Sequence, residues 1–142
     1  MFRRTERFWI AFILRFAFGF LFLFAAVGIF SYGPSNFSAD LAKPFETTWV
    51  GGIPESSEFI KKFLLGVPYA MGILSVPILT GIFLRPALRL GALLLVCLGL
   101  GKYIQNDTAN MASNFTLAFI MCLGLYALDR DPADEPMADY GA

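Results

Sequence analysis

The chain has no histidine, and charged residues make up only 15% of it. Without histidine it lacks the ordinary axial ligand of haem and the commonest transition-metal ligand, so no metal or redox cofactor of its own is expected. Cysteine is scarce as well. Cys97 and Cys122 are the only two, and each lies in an apolar run, where a free thiol packs as a small buried hydrophobe; a pair facing each other is the redox alternative. Lysine plus arginine and aspartate plus glutamate number 11 each. Zero net charge with no basic cluster argues against a nucleic-acid partner. No internal repeat is visible.

What the chain does have is apolar surface. Hydrophobic residues make up 57% of its 142 positions and mean hydropathy is +0.64, whereas soluble domains carry about 25% charged residues. The length suits one domain. In "LRFAFGFLFLFAAVGIF", Leu14 to Phe30, phenylalanines stand at 16, 18, 20, 22 and 24. The two-residue period resembles a strand, but the intervening Ala17, Gly19, Leu21 and Leu23 are apolar too, so no face is polar. From Phe8 to Phe30 the only charge is Arg15, and a helix over that segment would be about 34 Å long against roughly 30 Å of bilayer hydrocarbon.

Three further apolar runs follow. The expected fold is therefore all-α: a polytopic membrane four-helix bundle with helices over 8–30, 63–84, 87–104 and 111–128. Pro68 and Pro77 predict a bend in the second helix, and Pro86 suits the first turn of the third. The short links "RPALR" and "KYIQNDTAN" make successive helices antiparallel neighbours. Between the first two helices, residues 31–62 are too polar to span and too aromatic for a plain linker, which predicts an interfacial loop holding Trp49 in the headgroup layer. The second helix is expected to begin outside the membrane, and the acidic tail over 129–142 to be mobile.

Basic residues separate by type. With the amino terminus cytoplasmic, all seven arginines (3, 4, 7, 15, 85, 89, 130) lie at or near the inner side and all four lysines (43, 61, 62, 102) at the outer side. The density of Arg85 and Arg89 in one short link predicts both termini cytoplasmic in a bacterial-type inner membrane. It also predicts contact of Arg85 and Arg89 with anionic lipid or a partner. The apolar core after "FRRTER" is too long for a signal peptide and ends at no cleavage site, so the first helix is expected to be retained.

Two groups of polar residues are candidate sites. Arg15, deep in the first span, either snorkels to the inner surface or pairs with a carboxylate; Asp129 is the expected partner, ahead of Glu6. At the outer side, Tyr103, Gln105, Asn106, Asp107 and Asn114 gather under the Trp49 loop. Donors beside an apolar slot suit a quinone carbonyl or a lipid headgroup, and the same residue types also cap helix ends.

"RFAFGFLFLFAAVG" (Arg15 to Gly28), "GIFLRPALRLGALLL" (Gly81 to Leu95) and "YALDR" (Tyr126 to Arg130) resemble, in order and spacing, the helices of the DoxX/DoxD family. The resemblance implies a four-helix membrane protein, related to the membrane part of thiosulfate:quinone oxidoreductase. By position, Arg15, Arg85 and Asp129 would correspond to that family's polar residues. Two features depart from it. Ile29 and Phe30 stand where many members carry a lysine, and "GVPYAMG" lacks the acid found early in the second helix.

Two functions are therefore expected. The first is a non-catalytic membrane subunit whose aromatic face packs against a larger redox or energy-converting complex, beside lipid or a partner's pigment. The second is a quinone-reactive subunit of a sulfur-oxidising enzyme.

Overall fold

The computed structural model describes residues 4–129, with side chains from Phe8 onward. The expected acidic tail beyond Asp129, together with Arg3 and Arg130, lies outside the described residues. The described chain contains five α-helices: α1 (Arg4–Tyr32), α2 (Pro34–Glu46), α3 (Ser56–Thr80), α4 (Leu84–Ile104) and α5 (Thr108–Asp129), with a 3₁₀ turn over Trp49–Gly52. Four of them, α1, α3, α4 and α5, are long and apolar enough to cross a membrane.

The phenylalanine alternation resolves into two helical rows. Two residues advance a helix by about 200°, so residues two apart lie on opposite faces, while residues four apart stack along one face. Leu14, Phe18, Phe22 and Ala26 form the inward row and are buried. Phe8, Phe12, Phe16, Phe20 and Phe24 form the outward row, exposed and in mutual ring contact, with centroids 4.5 Å apart for Phe12 and Phe16 and 5.7 Å for Phe20 and Phe24.

The inward row packs against Val67, Met71 and Ile78 of α3, Leu88, Ala92 and Leu95 of α4, and Met121 and Leu125 of α5. The most extensive helix pairings are α1 with α3 and α4 with α5. Small residues permit the approach. A Cβ at Gly91 of α4 would stand 2.8 Å from both the Phe22 ring and the Met121 methyl, so a side chain there would push one of them aside.

Residues 31–62 hold more structure than the expected loop. Gly33, at φ 99, ends α1 and starts α2 by accepting the Phe37 amide, with Pro34 at the first helical position. Phe37, Leu41 and Phe45 recur every four residues and face the bundle, while Asp40 and Lys43 pair in solvent at 2.9 Å. The segment is a short amphipathic helix, whose apolar row is diluted in composition by its polar face.

The second span starts at Ser56, seven residues ahead of the expected boundary, and continues as helix through Pro68 and Pro77. It ends at Gly81, whose φ of 79 places it in the left-handed region common after helix ends.

Candidate functional site

The α2 end of the bundle holds a cavity of about 730 Å³. Phe37, Leu41 and Phe45 of α2 roof it, Phe59, Phe63, Leu64 and Met71 of α3 form one wall, and Cys97, Leu98, Leu100 and Ile104 of α4 form another. Four polar residues line it: Lys102, Gln105 and Asn110 where α4 ends and α5 begins, and Asn114 one turn deeper along α5. The remainder of the lining is predominantly apolar, the usual form of a small-molecule site.

The ends of α4 and α5 position these groups. Asn106, at φ 58, takes the left-handed position after α4, and the Asp107 amide reaches back to the Lys102 carbonyl at 3.0 Å. Asp107 then starts α5: its carboxylate accepts from the Asn110 backbone amide at 3.3 Å and from the Asn110 side chain at 2.7 Å. Lys102 lies 3.3 Å from the same carboxylate. These contacts, the Asn110 amide first, hold the Asp107 carboxyl below its ordinary pKa. The Lys102 ammonium also donates to Gln105 Oε1 at 3.2 Å, and Gln105 Nε2 donates to the Leu41 carbonyl at 3.1 Å, which ties the α2 roof to the end of α4.

Of the residues expected to gather at this site, Gln105 and Asn114 line the cavity. Trp49 and Tyr103 do not. Trp49 is 74% exposed on its 3₁₀ turn and Tyr103 is 64% exposed, because the register of α4 that turns Lys102 inward leaves the adjacent Tyr103 outside. Lys102, Asn110 and the α2 row were not anticipated. The four-residue spacing of Phe37, Leu41 and Phe45 was the available signal for the roof.

At the opposite end, the expected contact between Arg15 and Asp129 is not formed. The Arg15 guanidinium donates to the Leu79 carbonyl, through Nη2 at 2.8 Å and Nε at 3.3 Å. Leu79 lies in the last turn of α3, where carbonyls have no partner within the helix and the dipole favours a cation. Asp129 instead pairs with Arg85 at 3.1 Å and Arg89 at 3.2 Å, across the α4–α5 contact. One helical turn separates those arginines, which lets a single carboxylate accept both. Arg85 also donates to the Leu128 carbonyl at 3.2 Å.

Both cysteines are free thiols on exposed helix positions, in contrast to the expected burial, and Cys97 borders the cavity. Among the described residues no group of three or more histidine, cysteine, aspartate or glutamate side chains converges on a point where a metal ion would sit. What the cavity offers is a few hydrogen-bonding groups set in a largely apolar wall, which is binding chemistry. No protein-family model, curated protein or solved structure matches the chain.

Proposed function

We propose that the protein is a non-catalytic integral membrane subunit that packs against a larger redox or energy-converting assembly through the outward phenylalanine row of α1. The observation that carries this reading is the row itself. Five rings from Phe8 to Phe24 contact one another in sequence, stacked or tilted, along an exposed face. The same row ends at Gly28, where a Cβ would meet nothing within 4 Å and the backbone is bare. In lipid, helices associate through close packing rather than hydrophobic gain, and a stiff aromatic ridge ending in a glycine notch offers shape for such packing. The arrangement taken here is the bacterial-type inner membrane with both termini cytoplasmic, supported by the arginines at the α3–α4 turn.

Purification in mild detergent, with identification of the co-purifying chains, tests the role. Larger membrane subunits are expected at fixed stoichiometry, lost in a Phe16→Leu, Phe20→Leu, Phe24→Leu variant. Recovery of the chain alone under conditions that preserve other membrane complexes overturns it. Cysteine labelling at Ser35 and Phe83, with Cys97 and Cys122 replaced, tests the arrangement: the two positions are expected to label from opposite sides, and Phe83 from the cytoplasmic side.

A second reading is favoured by one observation, the convergence of Lys102 and Asn114 on an apolar cavity. It is the quinone-reactive subunit of an enzyme resembling thiosulfate:quinone oxidoreductase. It requires purified protein, free of partners, to turn over a quinone with thiosulfate at a rate that Asn114→Leu abolishes.

A further inference from the structure

We propose that the cavity beneath α2 is a site for a resident bilayer lipid: one acyl chain of a zwitterionic glycerophospholipid fills the apolar slot, and its ester carbonyl accepts a hydrogen bond from the Asn114 side chain. The inference is independent of the subunit reading. It rests on an unused polar group, a depth and a charge pattern.

Asn114 is half-buried in a helix apolar enough to cross a membrane, and its amide borders the cavity. That amide brings two N–H donors and one acceptor, yet no partner within hydrogen-bond distance is found for it among the described residues. A polar side chain beside hydrocarbon finds a partner or remains costly. The neighbouring amides are engaged: Gln105 holds Leu41, and Asn110 holds Asp107. Asn114 alone is left to face the slot.

The depth of the slot points to the occupant. Along α4 it extends from Gln105 to Cys97, eight residues or about 12 Å of helix rise. One leaflet provides about 15 Å of hydrocarbon. A slot of that depth, with Lys102 and Gln105 near its mouth and the Asn114 amide one turn deeper, accommodates a leaflet chain lying parallel to the helices. Entry from the side is open, since Phe59, Phe63 and Leu100 on its rim are exposed.

Charge at the polar end fits a zwitterion. Lys102 and Asp107 stand 3.3 Å apart and both remain partly exposed, with side-chain exposures of 25% and 32%. Of the three ammonium hydrogens of Lys102, Gln105 and Asp107 use two, leaving one for a phosphate oxygen. The Asp107 carboxylate, 3.3 Å from the Lys102 ammonium, offsets its charge, so an anionic headgroup would find no net positive charge at this end, whereas a zwitterion adds none.

The test is native mass spectrometry of the detergent-purified chain after exchange into nanodiscs of phosphatidylcholine, its ether-linked analogue, or phosphatidylglycerol. One retained phosphatidylcholine per chain is expected, with phosphatidylglycerol retained less; equal or stronger retention of phosphatidylglycerol overturns the zwitterionic assignment. Retention should fall about tenfold for the ether analogue, which lacks the carbonyl, and for Asn114→Leu, which lacks the donor. Gly101→Leu fills the slot and should abolish retention; a Cβ there meets Phe45 at an ordinary 3.5 Å. Equal retention of the ester and ether lipids, or retention unchanged by Gly101→Leu, would mean surface lipid only and overturns the proposal. A quinone carried through purification in place of the lipid also overturns it, and assigns the cavity to the second reading above.

Discussion

The guanidinium of Arg15 occupies the space that a side chain at Gly81 would need: a Cβ at Gly81 would stand 2.8 Å from Arg15 Cζ. A side chain at Gly81 would displace the cation from its place over the last turn of α3, and the φ of 79 at Gly81 favours glycine for a separate reason.

Gly81→Ala is therefore expected to destabilise the protein twice, by about 1 kcal/mol of backbone strain and by displacing Arg15 from the Leu79 carbonyl, worth a further 1–3 kcal/mol or so. Arg15→Met should remove the second contribution alone. Unfolding titrations of both single variants and the double variant check this, and a double variant less destabilised than the sum of the singles is the expected result.

Asp129→Asn releases Arg85 and Arg89, whose side chains are 60% and 65% exposed. The loss should stay below about 1 kcal/mol and shrink as salt is added. A double-mutant cycle between Arg15 and Asp129 should give no coupling beyond about 0.5 kcal/mol. Larger coupling would restore the pair expected from sequence.

Asp107 sets a pH dependence. Its folded pKa is lowered, chiefly by the Asn110 amide and with help from Lys102, so its contribution is present above the unfolded value and disappears as pH falls through the folded one. Asp107→Ala should lower the thermal midpoint at neutral pH, and the difference from wild type should vanish in strong acid. A constant difference across that range would exclude the carboxylate as its source.

The two phenylalanine rows should respond in opposite ways. Phe22→Ala removes a ring with 0% exposure and should cost about 3–5 kcal/mol. Phe16→Leu and Phe20→Leu, on the outward row, should leave the stability of the purified chain nearly unchanged. Thermal midpoints in one detergent compare them directly.

The membrane helices were legible because each is a long apolar run, and the antiparallel order followed from links too short for any other path. The α2 helix was not legible as a helix, since a row of three apolar residues in a thirteen-residue segment hardly changes its composition. Arg15 exposes a different blind spot. Its partner is a backbone carbonyl, and every residue has one, so no side-chain pattern identifies Leu79. Gln105 and Asn114 could be placed at the site by position alone, but separating them from Tyr103 and Trp49 required the rotational setting of each element.

That rotational setting has a consequence for how the chain is made. Between Phe8 and Phe30 the one charge of α1 is Arg15, so its contact adds a directed fixed point to the rotation that the buried row of Leu14, Phe18 and Phe22 sets. The oxygen that holds Arg15 belongs to a residue 64 positions later. In a chain made from its amino end α1 precedes α3, so Arg15 meets its acceptor only once the last turn of α3 has formed beside it. The contact therefore joins the first span to the end of the second, across the whole α2 segment between them.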